Sequence, residues 1–181
     1  TTLCIDFKSR ISTNTLQFFV ELYESCPLLN SLTVHAMNHH NYMGNDWYRL
    51  ILHYTAKKPV LTTLNLNINE GSGWFQHSTS GLSFNSIIEI YLPNLEELTL
   101  IGITFISNST SNNPYKIRKM TLYGGRAGQI PILFSNLSFL EHLEVHNIRS
   151  ADLTSIIELC PFLRSIVLFF TTNAWYCGKD M

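Results

Sequence analysis

Residues 140–168 read LEHLEVHNIRSADLTSIIELCPFLRSIVL, and the reading of this stretch decides the fold. Leu140, Leu143 and Val145 are spaced L-x-x-L-x-L, and Leu163, Ile166 and Leu168 repeat that spacing 23 residues later. Apolar residues alternating with others at 143–145 and 166–168 are what a strand with one buried face requires. Between the strands lies an amphipathic segment, Asp152 to Cys160. It puts Leu153, Ile156, Ile157 and Cys160 on one helical face, with Ser150 or Asp152 as its cap. A unit this small cannot bury its own apolar face, whereas stacked copies can.

The same pattern extends to Thr1. The expected inner pairs are 3/5, 32/34, 64/66, 98/100, 120/122, 143/145 and 166/168. Their successive spacings are 29, 32, 34, 22, 23 and 23 residues, so the first half carries longer connections. A proline stands five residues before the first inner residue in the second, third, fourth and seventh units, and six before it in the fifth. Proline suits that place because it ends a helix and precedes a strand, where its missing N–H is tolerated.

The first unit adds a helix capped by Asn14, with Leu16, Phe19, Val20 and Tyr23 inward. Helices are also expected with faces Trp47, Leu50, Ile51, Tyr54 and Phe84, Ile87, Ile88, Tyr91. The polar stretches Met37 to Gly44 and Glu70 to Gly81 read as loops, and Ile130 to Phe134 as a short helical turn. Ile103 and Phe105 continue the apolar alternation of the fourth strand and are expected to extend its buried ladder.

Cys26-Pro27-Leu28-Leu29-x-x-Leu32-x-Val34 and Cys160-Pro161-Phe162-Leu163-x-x-Ile166-x-Leu168 resemble the cysteine-containing leucine-rich repeats of F-box proteins. Leu92-Pro93-Asn94-Leu95-x-x-Leu98-x-Leu100 is similar, with Leu for Cys. The expected fold is α/β. Residues 1–181 are expected to form one leucine-rich-repeat solenoid of about seven repeats, part of a longer chain. The sheet would be parallel and concave, with helices and irregular loops on the convex side. The resemblance implies the substrate-recognition arm of an F-box-type ubiquitin ligase, joined to the cullin-ligase adaptor by a region outside this chain. No segment of the chain resembles the F-box itself. The alternative is a repeat scaffold or signalling adaptor with no ligase link.

Side chains alternate along a strand, so residues between the inner pairs share the opposite face. The central row is Cys4, Thr33, Asn65, Thr99, Thr121, Glu144 and Val167. One flanking row runs Thr2, Ser31, Thr63, Glu97, Lys119, His142, Ser165; the other runs Asp6, His35, Asn67, Ile101, Tyr123, His146, Phe169. Seven strands at the usual ~4.8 Å spacing give a face roughly 30 Å long, the scale of a protein or peptide partner. Thr99, Thr121, Tyr123, His142, Glu144, His146 and Phe169 are the candidate partner-binding residues, because aromatics among a few polar groups typify binding hot spots. His142-x-Glu144-x-His146 reads as surface residues rather than as a metal site, since alternate strand residues stand ~6.5–7 Å apart.

Composition narrows the function classes. The chain is 45% hydrophobic and 14% charged, which excludes a disordered polyelectrolyte. Twelve basic and 13 acidic side chains leave no stripe able to neutralise several phosphates, so nucleic acid is not an expected partner. Apolar runs fall short of the ~20 residues of a membrane span. The four cysteines include no C-x-x-C, and Cys26 and Cys160 hold equivalent packing positions, pointing to a reduced cytoplasmic or nuclear protein. No nucleophile elbow, P-loop, dinucleotide fingerprint or H-E-x-x-H occurs, so neither an enzyme nor a cofactor is expected.

Overall fold

The computed structural model describes residues 1–7, 13–38, 60–70, 82–83, 92–101, 105–106, 114–123, 134–146 and 150–169. Seven strands form one parallel sheet in chain order: β1 (Thr2–Phe7), β2 (Ser31–Asn38), β3 (Thr63–Glu70), β5 (Glu97–Ile101), β7 (Lys119–Tyr123), β8 (His142–His146) and β9 (Ser165–Phe169). Two short strands, β4 (Leu82–Ser83) and β6 (Phe105–Ile106), pair with each other in a separate parallel sheet. Helix α1 (Thr13–Glu24) joins β1 to β2, and α2 (Ser150–Leu159) joins β8 to β9. Parallel neighbours require such crossovers, because a tight hairpin reverses the chain. The fold is therefore α/β with an all-parallel seven-stranded sheet.

The register carries the apolar pattern straight across the sheet. Leu3, Leu32, Leu64, Leu98, Met120, Leu143 and Ile166 pair in sequence, as do Ile5, Val34, Leu66, Leu100, Leu122, Val145 and Leu168. From β2 to β8 these residues are at most 4% exposed. On β1 and β9 they are half-buried, as expected of strands with a sheet neighbour on one side only. A one-residue slip would turn every such side chain to the opposite face, so burial holds the register. Helix α1 adds Phe19 and Tyr23, whose rings stack at 5.7 Å in the same core.

Two small devices recur where the chain enters strands of the large sheet. The N–H of Leu29, Leu95, Leu140 and Leu163 donates to the carbonyl three residues back, at Cys26, Leu92, Leu137 and Cys160, over 2.9–3.2 Å. Pro at the second turn position, as in Cys26-Pro27 and Cys160-Pro161, presets the backbone for this turn. Next, one carbonyl accepts two successive N–H groups of the following unit. Asn30 takes Thr62 and Thr63, Thr62 takes Glu96 and Glu97, Glu96 takes Arg118 and Lys119, and Arg118 takes Glu141 and His142. Cys160 packs beneath its turn at 2% exposure, where burial pushes the thiol up to about 11.

Several details differ from expectation. Phe105 does not extend the fourth strand: β5 stops at Ile101, and Phe105 pairs with Leu82 in the second sheet. Alternation shows that a segment is extended but not which sheet it joins. Met37 lies within β2, which runs to Asn38, and Glu70 is the last residue of β3. Helix α1 begins at Thr13, one residue before Asn14, and α2 begins at Ser150, two before Asp152. Residues 12–15 are all of capping type, so composition leaves that start undecided. Ile157 is 57% exposed, because α2 buries a narrow stripe through Ile156, at 0%, with Leu153 and Leu159 beside it. The expected helices near residues 45–58 and 84–91, the residues Trp47, Tyr54 and Phe84, and Cys177 with the chain beyond Phe169 lie outside the described residues.

Candidate functional site

The face opposite the buried pairs holds the three expected rows. The central row aligns Thr99 with Thr121, Thr121 with Glu144 and Glu144 with Val167. One flanking row aligns Lys119, His142 and Ser165. The other aligns Ile101, Tyr123, His146 and Phe169. These side chains are half-buried or exposed.

The last row closes into a ring stack. His146 lies flat on Phe169 at 4.0 Å between centroids with 12° between planes, and meets Tyr123 edge-on at 4.8 Å and 66°. Stacked and edge-to-face pairs at such distances add about 0.5–1.5 kcal/mol beyond area burial. His146 Nε2 and Glu144 Oε1 lie 2.9 Å apart, two residues along the same strand. This contact fixes the imidazole plane, which the two rings then sandwich. The outer ring, Phe169, remains 47% exposed and Val167 beside it 44%. The result is an apolar step at the end of the face, with a carboxylate at its foot.

Beside the step is an open depression of about 440 Å³, lined by Lys119, Thr121, His142, Glu144 and Ser165 among others. Thr121, Glu144 and His142 thus meet at this depression, and Tyr123, His146 and Phe169 form the stack. Thr99 is outside the lining, although Glu97 of the same strand, β5, belongs to it. Sequence reading did not single out Lys119, Ser165, Val167 or Ile101, although the row alignment places all four among the chosen residues. Among the described residues, no group of three or more His, Cys, Asp or Glu side chains is placed to hold a metal ion.

A second ordered group lies where the chain enters the strands. Arg118 Nε donates to Glu141 Oε1 at 2.8 Å, and Arg164 Nη1 stands 3.8 Å from Glu141 Oε2. The hydrogen bond from Arg118, helped by the charges of Arg118 and Arg164, holds the Glu141 carboxyl below the usual range. The same bond pushes the Arg118 guanidinium up. Sequence reading missed this group because residues two before each inner pair were not aligned as a row.

No family model, curated protein or solved structure matches this chain. No helix among the described residues is long and apolar enough to cross a membrane.

Proposed function

We propose that this chain is a protein-binding module of the leucine-rich-repeat type, its seven units stacked as a curved solenoid and its polar rows forming the concave, partner-facing surface. The observation that carries the reading is the Tyr123–His146–Phe169 stack, with Glu144 at its base. Three rings prearranged on rigid strands lose little conformational freedom when a partner lands on them. An aromatic step beside polar groups has the make-up of a hot spot with its rim. The wide, open depression next to it suits an extended partner surface better than an enclosed small ligand. No catalytic role is assigned.

The Cys-Pro turns and their resemblance to F-box repeats support a narrower form of the proposal, in which the module presents substrates to a cullin-type ubiquitin ligase. The test uses the full-length protein as bait, as wild type, as the Tyr123→Ala/His146→Ala double variant, and as Phe169→Ala. The expected result is a captured protein that both variants lose while their melting temperatures stay within a few degrees. Co-purification of the cullin-ligase adaptor with all three forms supports the narrower role; its absence leaves a repeat scaffold. Capture unaffected by both variants overturns the assignment to this face.

A further inference from the structure

The edge where the chain enters the sheet carries two rows outside the face just described. Four residues before each first inner position stand Leu28, Val60, Asn94, Lys116, Phe139 and Phe162. Two before it stand Asn30, Thr62, Glu96, Arg118, Glu141 and Arg164. The repeated carbonyl bonds hold these rows in step. Phe139 and Phe162 occupy the solvent-facing third position of their turns and are 47% and 59% exposed. The turn itself does not require an apolar residue there, since Asn94 fills the same place in an equivalent turn. Two adjacent exposed phenylalanines are therefore unexplained by folding.

The charges beside them are unevenly committed. The Glu141 side chain, 16% exposed, is engaged by Arg118 on one oxygen and faces Arg164 with the other. Lys116 Nζ donates to Asn94 Oδ1 at 2.7 Å and remains on the surface. Arg118 and Arg164 stay 59% and 75% exposed. Lys116, Arg118 and Arg164 against Glu96 and Glu141 leave one positive charge in excess, on a chain whose net charge is −1. An open depression of about 420 Å³ lies among Glu96, Lys116, Arg118, Phe139, Glu141 and Phe162.

We propose that this edge is a second docking site, taking an acidic peptide segment of a protein partner that places a bulky apolar side chain next to a carboxylate. The rings receive the apolar group, and the open N–H groups of Arg118 and Arg164 receive the carboxylate, for which the guanidinium fork is shaped. Polyphosphate ligands would meet the two glutamates, so nucleic acid fits poorly.

The test is fluorescence anisotropy on the full chain with a labelled Gly-Ser-Phe-Glu-Leu-Asp-Phe-Ser-Gly peptide. Controls replace its acids with Lys or its apolar residues with Ala. The acidic, apolar peptide binds most tightly, and less tightly as salt rises. Phe139→Ala/Phe162→Ala weakens it about tenfold. Arg164→Gln, at a largely exposed position, narrows the preference for acidic over basic peptide. Tyr123→Ala leaves binding unchanged, which separates this site from the ring stack. Equal binding of the basic peptide, tighter binding of a labelled oligouridylate, binding unaltered in the double phenylalanine variant, or no saturable binding of the acidic peptide overturns the proposal.

Discussion

Leu64→Ala is the sharpest test of the packing that positions both surfaces. Leu64 is 0% exposed on β3, with Leu32 and Leu98 beside it in register, themselves at most 1% exposed. The substitution removes three carbons' worth of buried side chain, about 2.4 kcal/mol at ~0.8 kcal/mol per methylene. A cavity term adds to this, because strands pinned on both sides relax little, giving about 3–4 kcal/mol in all. For a chain of this size, each kcal/mol moves the melting temperature by about 2–4 °C. The expected drop is then roughly 6–16 °C. Circular dichroism melts and urea titrations read it, with the urea slope unchanged. Thr99→Ala on the opposite face serves as control and costs under about 1 kcal/mol. Equal costs at the two positions, or a loss below about 1 kcal/mol at Leu64, would refute the assignment of faces.

Other perturbations report on single features. Among the described residues, Asn65 Oδ1 is buried without a hydrogen-bond partner, so Asn65→Val is neutral or raises stability by up to about 1 kcal/mol; a clear loss in thermal denaturation would contradict this. Cys160, with its thiol at about 11, is ionised in roughly one molecule per thousand at pH 8. Peptide mapping after iodoacetamide treatment should therefore show exposed Cys4 modified well before Cys160, and equal rates would place Cys160 at the surface. The raised thiol also sets a sign: its contribution to stability is complete below pH 9.0 and is lost as pH climbs toward about 11. Glu141 acts the other way. Its lowered carboxyl stabilises the fold above the ordinary value of 4.5 and loses that effect as pH falls through the depressed value. Urea midpoints of Glu141→Gln and wild type should accordingly differ at pH 7 and converge in acid, and a constant gap would remove the Arg118 contact as the cause.

How far the molecule could be read from its residues follows from which forces act locally. Leu32, Leu64 and Leu98 announced their row because alternation and burial act residue by residue, and the in-step pairing followed from their spacing. Cys26-Pro27 and Cys160-Pro161 announced where their helices end for a similar reason, since proline restricts its own backbone and that of its neighbour. Phe105 was misplaced because strand partnership is decided by distant chain. Ile157 was misplaced because a helix rotates to fit whatever it covers. At the candidate site, the shared row of Tyr123, His146 and Phe169 was legible. The flat His146–Phe169 stack and the Glu144 contact were not, because ring planes depend on rotamers chosen among neighbours. Leu28, Val60, Phe139 and Phe162 share one repeat position, a signal that an alignment of the units would have revealed.

The most direct test of the central claim is site-specific photo-crosslinking in the full-length protein. A benzophenone amino acid replaces Phe169, Val167 or, as a control, exposed Glu21 of α1. The account predicts one crosslinked partner band shared by positions 169 and 167 and missing at 21. Crosslinking at 21 with none at 167 or 169 would contradict it and move the binding surface off this face of the sheet.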